Sequence, residues 1–286
     1  MKKTGAGPDG GRRPLEQALR EYARGIIGGM LFSLPLLYTM EVWWAGFIAH
    51  PLHLLFYLGA GFILLLGYNR YAGLHKDASW LEVVIEAVEE MGIGLLLSTF
   101  LLWMLGQIDL GQPWPEIVGK ITVEAVTVAI GVSVGASQLG GSQEEQEGGM
   151  AGDTRARDTS SIPGQVVLAA CGAVLLASNV APTEEIVQIA LEASPWQIVT
   201  LALLSLGVGG FVLLYGGLDH KGQARPVTTV VSRSFTQYAV SLVASAFILW
   251  FFGRFQGTSL AVSLAEVVVL GVPACLGASV GRLLLQ

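Results

Sequence analysis

Residues 117–138 read IVGKITVEAVTVAIGVSVGASQ, an almost wholly apolar stretch whose single acidic residue is Glu124. The stretch matches the roughly 20 residues that an α-helix needs to cross the hydrocarbon core of a bilayer. Comparable apolar segments lie at about 25–47, 51–69, 83–106, 165–182, 196–217, 235–253 and 259–281. The sequence therefore predicts an all-α, polytopic membrane helix bundle with eight transmembrane helices.

The composition excludes several classes of protein. Of the 286 residues, 52% are hydrophobic and 13% charged, and the mean hydropathy is +0.60, whereas soluble domains carry about 25% charged residues. A soluble globular enzyme and a secreted disulfide scaffold are therefore excluded. Cys171 and Cys275 lie inside apolar segments and are interpreted as packing residues. No nucleophile–base pair or nucleotide fingerprint is present, so we expect neither enzymatic activity nor a cofactor, and the net charge of −6 argues against nucleic acid.

The distribution of basic residues predicts the orientation. If residues 1–24 form a cytosolic segment, 14 of the 16 Lys and Arg residues fall on the inner side and only Lys120 and Arg254 on the outer side. Such a bias is typical of cytosolic loops. We therefore expect a multi-pass protein of the bacterial inner (plasma) membrane with both termini in the cytosol.

The chain also contains an internal duplication. Glu124 aligns with Glu266, and three further pairs of segments match at a nearly constant interval: 61–65 with 210–214, 98–106 with 245–253, and 135–137 with 277–279. This predicts two four-span repeats, residues 25–138 and 165–286, joined by a disordered cytosolic linker at 139–164. Because four spans is an even number, both repeats are expected to insert in the same orientation.

Acidic residues inside apolar segments are the candidate functional residues, because a carboxyl group in a bilayer is costly unless it is paired, hydrated or coordinated. Glu41, Glu124, Glu185 and Glu266 are predicted at similar depth in the outer half of the bundle, where they would form one cation site. Neutral oxygens and a further acid would complete the ligand set, and they come from Thr39, Asn179, Thr183 and Glu184. Hard divalent cations prefer such oxygen ligands. Bound calcium is the first expectation, and a proton or sodium the second.

These residues predict a channel or secondary transporter for cations, in contact with the lipid bilayer, and a homo-oligomer is left open. Two alternatives remain. The glutamates could be structural, for example by pairing with Lys120, in a non-transporting sensor or scaffold. An intramembrane enzyme acting on lipid is less compatible, because no second type of reactive residue accompanies the acids. A second acidic group, Glu82, Glu86, Glu89 and Glu90, could form an inner vestibule or pair through Glu86 with Arg233.

Two motifs carry a resemblance to known families. Residues 37–44, LYTMEVWW, and 179–186, NVAPTEEI, together with the duplicated layout, resemble a bacterial family catalogued as integral membrane proteins without an established activity. Residues 181–185, APTEE, resemble the Pro-Glu signature of calcium/cation antiporters. That superfamily has inverted repeats and a Gly-Thr-Ser sequence before the signature, both of which this chain lacks. The second resemblance therefore implies cation chemistry but not membership.

Overall fold

A computed structural model describes residues 12–73, 79–144, 161–216 and 227–283, and these residues are helical with short connections and no strands. The ten helices are α1 Arg12–Leu37, α2 Met40–Ile48, α3 Pro51–Ala72, α4 Trp80–Met104, α5 Trp114–Glu144, α6 Ile162–Val180, α7 Glu184–Glu192, α8 Pro195–Gly216, α9 Val227–Phe251 and α10 Leu260–Leu283. Most of the predicted linker lies outside the described residues. Its first part does not, because α5 continues to Glu144.

Six helices within the described residues are long and apolar enough to cross a membrane, and a bent pair would make a seventh span. The six are Pro51–Ala72, Trp114–Ser137, Ile162–Val180, Pro195–Leu213, Val230–Phe251 and Leu260–Gly281. The bent pair consists of Tyr22–Leu37 and Met40–Ile48. Helix α4 has 25 residues but lies outside this set, and it carries four glutamates in its first half. The all-helical prediction is confirmed, with six or seven candidate spans in place of eight.

The first predicted segment, 25–47, is not one continuous helix, because α1 and α2 meet at an angle of 86°. Thr39 is extended between them, and its hydroxyl donates to the Pro35 carbonyl at 2.6 Å. Pro35 lies inside α1, and proline weakens the hydrogen-bond ladder of a helix. A similar break follows α6. There Pro182 precedes the short helix α7, and the Thr183 hydroxyl donates to Val180 at 2.9 Å.

Helices α5 and α10 each form the centre of one group of helices. Helices α1 to α4 pack mainly around α5, and α6 to α9 pack mainly around α10. Tight crossings place glycine against glycine: Gly46 faces Gly119 between α2 and α5, Gly28 faces Gly135 between α1 and α5, and Gly172 faces Gly277 between α6 and α10. Small residues allow membrane helices to approach to backbone contact.

The two groups meet mainly through α3 and α6. Tyr57 of α3 stacks on Phe251 of α9, with 4.1 Å between ring centroids and 15° between ring planes. Buried apolar residues of both groups form one continuous core. Residues of the first and second groups therefore line the same interior, and the candidate site lies at this junction.

Candidate functional site

Glu124 lies in the middle of α5 and is completely buried. Neither of its carboxyl oxygens has a hydrogen-bond partner in the described part of the chain. Burial is the dominant influence on its electrostatic environment. An isolated carboxylate in an apolar interior is strongly unfavourable. A buried carboxyl group of this kind is stable when it is protonated, hydrated or paired with a cation.

Tyr57, which lies within electrostatic range of Glu124, is accompanied by two further buried hydroxyl groups. Tyr57 of α3, Thr127 of α5 and Ser178 of α6 are all buried, and none of their oxygens has a well-formed hydrogen bond within the described residues. The Tyr57 hydroxyl lies close to those of Thr127 and Ser178 and is within electrostatic range of Glu124. We call Tyr57, Glu124, Thr127 and Ser178 the Glu124 cluster. It joins both groups of helices, because Ser178 belongs to the second.

The position matched to Glu124 in the sequence, Glu266 of α10, is also completely buried. Its two oxygens likewise have no hydrogen-bond partner in the described ranges. Unlike Glu124, it is acted on electrostatically by a cation, the guanidinium of Arg254. That guanidinium also donates to the carbonyl of Pro182, at the break before α7. The charge of Glu266 is thus partly compensated by the protein.

Lys120, the other outer cation, does not compensate Glu124. Its ammonium group lies 2.6 Å from the Glu116 carboxylate and donates to the Gln107 carbonyl at 3.0 Å. Lys120 is itself buried. The sequence left open a pairing of Lys120 with an intramembrane glutamate. In the structure Lys120 pairs with Glu116, one helical turn nearer the start of α5.

The other predicted acids lie at helix starts. Glu41 is half-buried in the first turn of α2, and Glu184 and Glu185 are exposed in the first turn of α7. Carboxylates are favourable there because the free N–H groups of a helix N-terminus attract negative charge. The backbone N–H of Glu185 holds the pKa of its carboxyl group below its usual range. These three acids are explained by the short helices that they begin.

The predicted neutral ligands are largely engaged with the backbone. The hydroxyls of Thr39 and Thr183 donate to carbonyls at the ends of α1 and α6. The Asn179 amide donates to Leu175 in its own helix and, at 3.5 Å, to the Phe32 carbonyl of α1. Its side-chain oxygen is buried without a partner among the described residues. Asn179 is thus the only member of this trio with a buried, unused oxygen.

Within the described residues, no three His, Cys, Asp or Glu side chains come together in a way that could hold a metal ion. All four predicted carboxylates belong to the described ranges, so this finding speaks against the nest that Glu41, Glu124, Glu185 and Glu266 were expected to form. Two of them are buried and the others lie at helix starts. An ion-binding role of Glu124 or Glu266 individually stays a prediction.

Sequence reasoning missed the buried hydroxyl group of Tyr57, Thr127 and Ser178 and a second buried polar group around Asn69. Tyr57 and Asn69 belong to one buried stripe of α3, together with Gly61, Leu65, Tyr68 and Ala72. A helical-wheel comparison could have identified this stripe, because its members recur at the spacing of one helix face. The hydroxyl of Ser178 carried no such signal, since serine is common in membrane helices as a packing residue.

A cavity of about 730 Å³ adjoins the cluster. Its wall is formed by apolar residues of α3, α5, α6 and α9, with Tyr57 as a shared residue of the cavity and the Glu124 cluster. Pockets of this size accommodate small organic ligands or part of a lipid chain. The cavity lies between the two groups of helices, where α3 and α9 flank it.

The long apolar helices, the buried α5 and the exposed apolar side chains on the outer helices define a multi-pass integral membrane protein in contact with the lipid bilayer. Residues 21–285 match a family model described as "Putative integral membrane protein (DUF2391)". The chain belongs to this family. Among curated proteins and among solved structures, nothing matches the chain. The resemblance to calcium/cation antiporters therefore gains no support.

Proposed function

We propose that the protein moves a small cation across the membrane by way of Glu124, and that the cation is a proton rather than calcium. The observation that carries the proposal is the complete burial of both Glu124 carboxyl oxygens without a hydrogen-bond partner in the described residues. An intramembrane acid with no partner is costly to maintain. A role in cation binding accounts for that cost, because it requires carboxyl oxygens that are not already hydrogen-bonded.

The choice of ion follows from the groups around Glu124. Calcium takes about six to eight oxygen ligands, usually including several carboxylates. The cluster offers one carboxyl group and three hydroxyls, from Tyr57, Thr127 and Ser178. A proton needs only the carboxyl group and no further ligand. Sodium is the second cation compatible with this set.

We further propose eight spans in two parallel repeats, in a bacterial inner membrane with cytosolic termini. Helix α4 would be the eighth span, with its glutamate-bearing first half near the cytosolic side. The order of helices supports the repeats, because each half contains one broken element followed by three long helices. The matched glycine crossings of α1 with α5 and α6 with α10 support them as well. This role requires no enzymatic step and no cofactor.

The test is proton flux into liposomes that contain the purified protein, driven by a pH gradient or a membrane potential and read with an internal pH-sensitive dye. Glu124→Gln keeps the size of the side chain and removes the titrating group. We expect it to lower flux by about a hundredfold, the scale on which a positioned proton-transfer group contributes. Glu192→Gln is the matched control, because Glu192 is an exposed acid in α7.

The control should retain wild-type flux, and both variants should show the elution profile and helical circular dichroism of the wild type. Wild-type flux in folded Glu124→Gln, or no cation flux in the wild-type protein under either driving force, would contradict the proposal. Replacement of the proton gradient by a sodium gradient distinguishes the two cations within the same assay.

The alternative function, a non-transporting sensor or scaffold with structural glutamates, is favoured by one observation. Arg254 acts on Glu266 and also donates to Pro182, so it links α10 to the break before α7. In this interpretation Glu266→Gln lowers the melting temperature and changes no ion flux. Measurement of both quantities on the same variant separates the two functions.

A further inference from the structure

A second carboxyl group is built into the first half of the bundle, away from the Glu124 cluster. The side-chain N–H of Asn69 in α3 donates to a Glu90 carboxylate oxygen in α4 at 2.7 Å. The carbonyl oxygen of the same amide accepts a hydrogen bond from the Ser133 hydroxyl of α5, also at 2.7 Å. Asn69 and Ser133 are almost fully buried. Three helices thus converge on one carboxylate, which we call the Glu90 site.

The geometry of the Asn69 amide suits an ionised carboxylate. Ser133 occupies the amide oxygen and so fixes which end of the amide faces Glu90. The N–H group then points at the carboxylate and stabilises its charged form. Three other titratable groups interact electrostatically with Glu90: Glu86 and Glu89 of α4 and the Cys171 thiol of α6. The negative charges of Glu86 and Glu89 oppose the charged form of Glu90, whereas the Asn69 amide supports it. Because these effects oppose each other, Glu90 can both release and regain a proton.

The Glu90 site and the Glu124 cluster lie at different depths along the same helices. On α5, Ser133 lies nine residues beyond Glu124, a separation of about 13 Å along the helix axis. On α3, Asn69 and Tyr57 belong to the same buried stripe, which faces into the bundle. The buried Ser98 of α4 adds another hydroxyl with no partner in the described chain. Polar groups are therefore present at successive depths in an otherwise apolar interior.

The second half differs at this depth. Gln237 of α9 stands at the position that aligns with Glu90, and its amide donates to the Ser279 hydroxyl and to the Cys275 carbonyl. Gln237 is almost completely buried, and its side-chain oxygen has no partner among the described residues. An amide side chain neither gains nor loses a proton at physiological pH. Among the described residues, the second half thus has the buried carboxyl group of Glu266, whereas the first half has the buried Glu124 and, in addition, the half-buried Glu90.

We infer that Glu90, held by Asn69 and Ser133, is the inner proton-binding site of a pathway that runs through the first half of the bundle alone. This inference rests on the function proposed above and adds the route. When Glu90 is protonated, the proton is held on one carboxyl oxygen. When it departs to water at the cytosolic side, the carboxylate keeps the hydrogen bond from Asn69. Glu124 undergoes the same exchange at the outer level.

The main test compares Glu90→Gln with Gln237→Glu in the liposome assay. We expect Glu90→Gln to lower proton flux by about a hundredfold, as for the loss of any positioned proton-transfer group. Gln237→Glu, which adds an acid at the matched position of the second half, should leave the flux unchanged. Glu90→Asp keeps the titrating group and should recover part of the flux, which a purely structural requirement for the glutamate side chain would not predict.

A second, less disruptive substitution tests the inference if Glu90→Gln does not fold. Ser133→Ala leaves Glu90 in place and frees the Asn69 amide to rotate, so the charged form of the carboxylate loses support. The pH at which flux is half-maximal should then move to higher values, whereas a structural role predicts lower melting temperature with an unchanged pH profile. An unchanged profile would overturn the inference.

The outcomes separate this inference from the function on which it rests. Loss of flux in Glu124→Gln with wild-type flux in folded Glu90→Gln would refute the route through Glu90 and leave the proposed function intact. Wild-type flux in both folded variants would refute the proposed function itself. Equal loss in Glu90→Gln and Gln237→Glu would refute the assignment of the pathway to one half.

Discussion

The two halves of the bundle carry a completely buried glutamate at matched positions, but the surroundings of the two differ. Glu124 lies within electrostatic range of the Tyr57 hydroxyl, and burial dominates its electrostatic environment. Glu266 is acted on by Arg254, which also holds the end of α6. A duplicated residue has thus been placed in two electrostatic environments. The comparison teaches that repetition in sequence does not assign the same role to both copies.

The difference continues at the second depth, where Glu90 in the first half is matched by Gln237 in the second. Both side chains are anchored to the central helix of their own half, through Asn69 and Ser133 in one case and through Ser279 and Cys275 in the other. The two side chains are therefore packed similarly, but only the Glu90 carboxyl group can exchange a proton. This difference is what the pathway proposed for the first half requires.

The largest expected effect tests whether both halves depend on the same backbone crossings. Gly28→Val and Gly172→Val each place side-chain atoms against the backbone of the facing helix, at Gly135 and at Gly277. Overpacking against backbone is not relieved by a rotamer change, so each should lose about 3 kcal/mol or more of stability. Both variants should yield little folded protein by size-exclusion chromatography in detergent.

Gly59→Ala is the matched control, because an added Cβ at Gly59 meets nothing within 4 Å. It should elute and melt as the wild type does. If only one of the two valine variants disrupts folding, the correspondence of the two crossings is wrong.

An intermediate effect is expected at the two buried glutamates. Glu266→Leu removes a carboxyl group within electrostatic range of the half-buried Arg254 and should cost about 1 kcal/mol, the scale of a screened charge interaction. Glu124→Leu removes a carboxyl group that has no partner, so the free energy of unfolding should stay the same or rise. Melting temperatures in the same detergent at neutral pH compare the two directly. Equal destabilisation would remove the electrostatic distinction between the halves.

The smallest expected effect concerns the turns that follow α4 and α9. Gly106 and Gly253 have positive φ angles of 68° and 70°, a conformation that costs other residues about 1 kcal/mol. An added Cβ meets nothing within 4 Å at Gly106 and only ordinary contacts at Gly253. Gly106→Ala and Gly253→Ala should therefore lower the melting temperature slightly and to the same extent. Unequal shifts would show that the two turns are not equivalent.

The sequence predicted the helical fold and the burial of Glu124 and Glu266, because long apolar runs determine both. It placed the end of the segment 165–182 at Pro182 but did not predict the short helix α7 that follows. It did not predict the 86° bend between α1 and α2, since apolar character continues through that bend. Those breaks decide the position of Glu41 and Glu185. Once each acid begins a new helix, it lies at a helix terminus and not inside a span.

The Glu90 site illustrates what remained beyond sequence reasoning. Its three members come from α3, α4 and α5, and their contact depends on the rotation and axial register of three helices at once. Hydropathy places each helix in the membrane but leaves its rotation undetermined. The acidity of Glu90 was visible in the sequence, whereas the amide and hydroxyl that hold it were two among many polar residues.

The glycine-to-glycine crossings have a mechanical consequence. Where backbone touches backbone, there are no long side chains to change rotamer and absorb a displacement. Helices α1 and α5 on one side, and α6 and α10 on the other, therefore translate and rotate together as stiff bodies. Relative motion is concentrated where the contact is looser, along the cavity between α3 and α9. Tyr57 lies on that seam, so any movement of one half against the other would be expected to act first on the surroundings of Tyr57.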